Sequence, residues 1–153
     1  MSDKLYKESL RVAVASDHAG VALKEEIKAL LARLKADATD LGTNSAASVD
    51  YPDFAHALAN GVAEKRFDAG ILVCGTGIGM SIAANRHAEI RAALCTDPYS
   101  ARMTRMHNDA NVLCLGARVV GGGLAEEIVS AFFTTSFEGG RHAGRVAKLN
   151  PSK

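Results

Sequence analysis

The sequence predicts an α/β fold: a five-stranded parallel sheet with helices on both faces, stacked as three layers. Short apolar runs alternate with helix-spaced patterns along the 153 residues, the signature of strand–helix–strand units. The runs are apolar throughout, as strands covered on both faces must be. Polar and glycine-rich residues gather just after the runs, where an open parallel sheet binds its ligands.

The first strand is expected over residues 10–15 (LRVAVA). Leu23, Ile27, Leu30, Leu31 and Leu34 then recur at helix spacing, with Lys24, Glu25, Glu26 and Lys28 on the other face. A short second strand over residues 38–41 stops at Gly42. Asp53 is the expected N-cap of a helix carrying Phe54, Leu58 and Val62. Residues 69–74 (AGILVC) give the third strand, residues 81–85 a short helix and residues 91–95 the fourth strand. Asp97-Pro98 opens a helix that runs to about His107, with proline at its first position. Residues 112–116 form the fifth strand, and Leu124, Ile128, Ala131 and Phe132 mark a last long helix. The reading is one Rossmann-like domain over residues 1–153. Residues 139–153 carry Arg141, His142, Arg145 and Lys148 and are expected to leave the core and contact a partner subunit.

Length and composition narrow the function. A chain of 153 residues has the size of one domain and can bury a core without disulfide staples. The formal net charge of +1 argues against a dedicated nucleic-acid binder. No apolar run is long enough to span a bilayer, so no membrane partner is expected. Residues 1–10 are mixed and charged and lack the apolar centre of a signal peptide, so a cytoplasmic location is expected. Cys74, Cys95 and Cys114 are odd in number and widely spaced, which reads as reduced thiols rather than a disulfide framework or a zinc site.

The sharpest local signal is Gly75-Thr76-Gly77-Ile78-Gly79, which joins the third strand to a helix. Such a loop points several backbone N–H groups into one space that suits an anion, either a phosphate or an enediolate oxygen. It is not a dinucleotide fingerprint, because the spacing is G-x-G-x-G and the loop follows the third strand. A Walker loop is excluded by the missing Gly-Lys-Ser/Thr. Cys74 stands directly before these N–H dipoles; it is either a small buried core residue or a thiolate acting as base or nucleophile. Cys95 and Cys114 are assigned to the core, and His56 and His87 to solvated surface. His18 and His107 follow or precede polar residues at element ends and are each either structural or chemical. Arg141-His142 with Arg145 is either a solvated basic tail or a phosphate clamp.

Taken together these residues resemble the ribose-5-phosphate isomerase type B family, which includes galactose-6-phosphate isomerase subunits. The matching text is Ser16-Asp17-His18-Ala19-Gly20, Asp50-Tyr51-Pro52, Cys74 through Gly79, Ile82-Ala83-Ala84-Asn85, His107-Asn108-Asp109, and Glu138-Gly139-Gly140-Arg141-His142 with Arg145. The resemblance implies an aldose–ketose isomerase acting on ribose 5-phosphate. An isomerase of another aldose phosphate of four or six carbons, with erythrulose 4-phosphate, allose 6-phosphate or galactose 6-phosphate as examples, is the alternative. A non-catalytic sugar-phosphate-binding module is the remote one. The residue matching Cys74 moves the proton between C1 and C2, and the one matching His107 opens the sugar ring. Asp17, His18, Tyr51, Thr76, Ser81 and Asn108 match substrate-binding positions, and Gly75, Gly77, Ile78 and Gly79 line the anion hole. Arg118, Arg141 and Arg145 match the phosphate-binding group, with His142 close by. Some family members lack the cysteine and carry a glutamate on the loop; here that position is Met80, which leaves the role to Cys74. The resemblance further implies a homo-oligomer, dimer or tetramer, with shared active sites. The activity would serve the pentose phosphate pathway or a dedicated sugar route. No redox cofactor is needed and no metal-ligand spacing is visible, so a mechanism free of cofactor and metal is expected.

Overall fold

The computed structural model describes residues 4–151; residues 1–3 and the last two residues of the expected tail lie outside the described residues. Its elements are β1 (Arg11–Ser16), a 3-10 turn (His18–Gly20), α1 (Val21–Arg33), β2 (Asp37–Asp40), α2 (Tyr51–Ala63), β3 (Ala69–Cys74), α3 (Ile78–Ala84), β4 (Ala92–Leu94), α4 (Pro98–Asn108), β5 (Val112–Gly116), α5 (Gly122–Phe133) and α6 (Arg141–Val146). The strands form one parallel sheet in the order β2-β1-β3-β5-β4. β3 is central, with Ile71 opposite Val14 on one side and Leu113 on the other.

Side-chain alternation along the strands divides the core into two layers. Val12, Val14, Ile71, Val73, Leu113 and Leu115 pack against α1, α5 and the first turn of α4, where Phe132 and Phe133 are fully buried. Each such large apolar side chain contributes about 1.5–3 kcal/mol on burial. The other face is alanine-rich: Ala13, Ala15, Leu72, Cys74 and Cys114 meet Ala55, Leu58 and Ala59 of α2 and Met80, Ala83 and Ala84 of α3. Small residues there let α2 and α3 lie close to the sheet.

Several expectations shift. β2 reads Asp-Ala-Thr-Asp, so not every strand is apolar; it is an edge strand with three of its four residues exposed. Lys24 is fully buried rather than solvent-facing. Its ammonium donates to Asp40 Oδ1 at 2.8 Å, the Thr43 carbonyl at 2.6 Å and Asn44 Oδ1 at 2.7 Å, so three acceptors replace the lost water. Asp50, not Asp53, takes the N-cap position of α2, because Pro52 fits the first turn where an N–H has no helical partner. Asp53 then falls in the first turn, where the helix dipole favours a carboxylate. α3 begins at Ile78 instead of residue 81, since Gly77 turns the chain in the left-handed region (φ 77°) and its carbonyl already accepts from the Ser81 N–H. Residues 139–151 run along the surface beside α4: His142 is the one buried residue of α6, its ring stacked on His107, and Asn150 Nδ2 donates to the Ala88 carbonyl at 2.9 Å.

Candidate active site

Strand geometry places one group of residues beyond the carboxyl ends of β1, β3 and β5. Cys74 ends β3 with its side chain buried, and its sulfur accepts the Gly77 N–H at 3.1 Å. A thiolate accepts such a bond more strongly than a thiol does. The left-handed turn at Gly77 makes this contact possible, and a Cβ at Gly77 would stand 2.6 Å from Leu94 and 2.9 Å from the Leu115 carbonyl carbon. Thr76 Oγ1 accepts the Ile78 N–H at 3.3 Å, and Ser81 Oγ donates to the Ile78 carbonyl at 2.7 Å. Both hydroxyls therefore shape the start of α3.

Neighbouring strand ends close around this loop. The Ala117 N–H donates to the Cys74 carbonyl and the Arg118 N–H to the Gly75 carbonyl. These two bonds bring the Arg118 guanidinium over Gly75, where an added Cβ would meet Nη1 at 3.2 Å. The Tyr51 ring lies across Gly79, where an added Cβ would come within 2.6 Å of it. From the end of β1, the Asp17 N–H donates to the Val73 carbonyl, and the buried Asp17 carboxylate accepts the Ala19 N–H at 2.9 Å. His18 Nδ1 accepts the Val49 N–H at 3.3 Å, which leaves Nε2 to carry the proton in the neutral ring.

The other thiols differ from Cys74 in their surroundings. Burial, then Asp97, pushes the Cys95 thiol up to about 11, and burial holds the Cys114 thiol well above its ordinary range. Both stay neutral near pH 7, as core residues should.

His107, Asn108, Arg141, His142 and Arg145 gather elsewhere. α4 starts after β4 at the carboxyl edge and returns to the amino edge, a rise of about 16 Å for its length. His107 and Asn108 sit at its far end, next to Asp109, whose carbonyl accepts from Arg91 just before β4 at 2.8 Å. The His107 ring stacks on His142 of α6 at 4.3 Å between centroids. Burial lowers the affinity of His142 for a proton, and the positive charges of His107, Arg141 and Arg145 act in the same direction against the pull of Glu138. Arg141 and Arg145 are exposed. A single chain thus brings Cys74 together with Asp17, His18, Tyr51, residues 75–79, Ser81 and Arg118, and brings His107 together with Asn108, Arg141, His142 and Arg145. It does not join the two groups.

A family model described as Ribose/Galactose Isomerase matches residues 12–149. The chain belongs to the ribose/galactose isomerase family. It is 50% identical over 139 residues to the ribose-5-phosphate isomerase B of Escherichia coli, covering 91% of this chain and 93% of that one. It is 43% identical over 141 residues to the D-erythrulose-4-phosphate isomerase of Pectobacterium atrosepticum, covering 92% and 93%. A solved ribose-5-phosphate isomerase B of Clostridium thermocellum has a TM-score of 0.90 at 50% identity, covering 92% and 95%. The chain is therefore a sugar-phosphate isomerase by family, and its five-stranded α/β sandwich is the family's fold.

Three features of this isomerase escape a reading of the sequence. Arg105 is buried and donates to the Ala110 carbonyl at 2.5 Å and to Asp109 Oδ1 at 2.9 Å, with its guanidinium 4.3 Å from the Tyr6 ring. It fixes the end of α4 and so the place of His107. Glu138 stands within 3.9 Å of His107 and 3.7 Å of His142, although 31 residues separate Glu138 from His107 along the chain. His56 and His87 are half-buried rather than solvated, and their ring nitrogens bond at 2.8 Å. Arg105 with Tyr6, Glu138 with His107 and His56 with His87 meet only where distant segments pack together. Among the described residues no helix is long and apolar enough to cross a membrane.

Proposed function

We propose that this protein interconverts ribose 5-phosphate and ribulose 5-phosphate through a 1,2-enediolate, with Cys74 as the base. The observation that carries this reading is the Gly77 N–H on Cys74 Sγ at 3.1 Å, at the mouth of a loop of glycines. The thiolate takes the C2 proton of the open aldose, and the C2–H electrons form the C1–C2 double bond. The aldehyde oxygen becomes the enediolate oxygen, held by the N–H groups of residues 75–79, and such preorganised donors supply the largest electrostatic share of catalysis. The O2 proton passes to O1, and the Cys74 thiol returns its proton to C1. His107 opens the furanose by moving the anomeric hydroxyl proton to the ring oxygen. Arg118, Arg141 and Arg145, with His142, hold the phosphate, while Asp17, His18, Tyr51, Thr76, Ser81 and Asn108 contact the sugar.

The separation of Cys74 from His107 within one chain supports a shared site, in which His107 and the α6 arginines of one subunit reach the Cys74 loop of another. A homodimer is the smallest assembly that completes it. Ile78 and Ile82 of α3 and Leu94 of β4, apolar side chains exposed beside the loop, suit such a contact. The three cysteines, all free thiols, suit the reducing cytoplasm. The erythrulose-4-phosphate isomerase relative favours a second reading, in which a four-carbon sugar phosphate is the better substrate. Ketose formation from ribose 5-phosphate, erythrose 4-phosphate and hexose 6-phosphates, followed by absorbance, decides between them. The proposal expects the highest kcat/KM on the pentose phosphate; no ketose from any of them would leave a sugar-phosphate-binding module.

A further inference from the structure

Behind the α4 terminus the structure holds three side chains of metal-ligating kind in one place. One ring nitrogen each of His107 and His142 and a Glu138 carboxylate oxygen all lie within 4.8 Å of one another. Glu138 Oε2 stands 3.9 Å from the His107 nitrogen and 3.7 Å from that of His142. Ligand atoms about 2.0–2.1 Å from one tetrahedral Zn²⁺ stand about 3.3–3.4 Å apart. Both glutamate–imidazole pairs are within about 0.6 Å of that spacing. The His142 ring is buried, with the residue only 4% exposed, and its Nε2 has no hydrogen-bond partner. A buried polar nitrogen left unpaired is costly unless something satisfies it.

The chemistry of the three groups fits a cation of intermediate softness. Neutral imidazole is the ligand form of histidine. Two imidazoles and one carboxylate suit Zn²⁺, Ni²⁺ or Cu²⁺ and offer too few oxygens for Mg²⁺ or Ca²⁺. Two facts oppose tight binding. Arg141 and Arg145 lie on the same short helix as His142 and repel a cation. The two rings are within 14° of parallel, so their lone pairs do not converge as they stand. To supply the third ligand the His107 ring, whose side chain is 39% exposed, must turn about its Cβ–Cγ bond, and the half-exposed Glu138 opens the way in.

We propose that His107, Glu138 and His142 form a binding site for Zn²⁺ or a cation like it, and that occupation withdraws His107 from the reaction. The binding half stands on the geometry; the inhibitory half rests on the ring-opening role proposed above. The same nitrogen that would relay the sugar's proton, His107 Nε2, becomes a metal ligand and can no longer accept or give one.

The test separates the two halves. Zinc is titrated into Cys74→Ser protein, which lacks the competing thiolate, against a chromophoric chelator. One site per chain at micromolar affinity is expected. Glu138→Gln and His142→Ala should each weaken it at least tenfold, since even loss of an outer partner of a metal ligand costs about 10–100-fold. His87→Gln, which removes the other histidine pair, should leave it unchanged. Affinity unaltered by Glu138→Gln and His142→Ala, or lost with His87→Gln, overturns the site. In the second arm, turnover of ribose 5-phosphate by the unmodified protein is followed as Zn²⁺ or Mg²⁺ is added. Zn²⁺ should inhibit and a chelator should restore the rate. Relative to its own metal-free rate, Glu138→Gln should need at least tenfold more Zn²⁺. Zinc bound at this site with undiminished turnover overturns the inhibitory half. A protein with no isomerase activity refutes the proposed function, while the chelator titration still decides the site.

Discussion

The two ends of the sheet are built by different means. At the carboxyl end the chemistry is made largely of backbone: a glycine loop, a left-handed turn at Gly77, and strand-end hydrogen bonds that set Cys74 and Arg118 in place. At the amino end it is made of side chains: His107 stacked on His142, with two exposed arginines on a six-residue helix, and the buried Arg105 bonded to Asp109 and Ala110 just past His107. The first arrangement follows from a strand running into a helix. The second needs α4 and the segment after α5 to meet, and it faces away from the Cys74 loop. In the proposed reaction, one chain would supply Cys74, the glycine loop and Arg118, and another copy would supply His107 and the α6 arginines.

Cys74→Ala tests the carboxyl end most severely. It should lower kcat by about 10²–10⁴-fold, the range for loss of a general base. Binding of a phosphate-bearing inhibitor by calorimetry should stay near the unmodified value, because the arginines act on the ground state. Retention of more than half the activity would remove Cys74 from the role.

At the other end the effect should be smaller and of another kind. Arg141→Ala and Arg145→Ala should each cost about 1.5–3 kcal/mol in kcat/KM, the worth of a charge-assisted bond. KM should rise and kcat fall together, since phosphate binding positions the reacting carbons. Unchanged kinetics in both would return α6 to a solvated basic surface.

The smallest effect sharpens the contrast between Cys74 and the core thiols. Cys95 titrates at about 11 in the fold against an ordinary value of 9.0, so the folded state keeps this proton longer than the unfolded one. Its contribution to stability is whole below about pH 9 and declines as the pH rises toward about 11. Denaturant midpoints measured from pH 8 to 11 should fall, and Cys95→Ala should flatten the fall; an unaltered slope would contradict the assignment.

How much of this was legible in the sequence follows the same division. β3 and β5 stand where their apolar runs place them, because a strand buried on both faces leaves a continuous pattern. β2 carries polar residues at the sheet edge, and its bounds slip by one residue. Lys24 sits among helix-face charges in the sequence, yet its acceptors lie 16 to 20 residues away, so no local pattern marks it as buried. The place of Cys74 and the glycine loop at a strand end is readable from strand grammar, while the choice of base over core residue for Cys74 comes from the family resemblance. His107, Arg141, His142 and Arg145 acquire meaning only through family resemblance, since their grouping depends on a tertiary contact between α4 and α6. Glu138 was part of that matching text, but its neighbourhood to both histidines was not.

The central claim is that one active site needs two chains. Cys74→Ala and His107→Ala subunits carrying different tags, refolded together and purified as the hybrid dimer, test it directly. Each parent should be nearly inactive. In the hybrid, one site holds both substitutions and the other holds neither, so the hybrid should recover about half the activity of the unmodified dimer. A purified hybrid no more active than its parents would contradict the account, because it would mean that Cys74 and His107 serve the same site from the same chain.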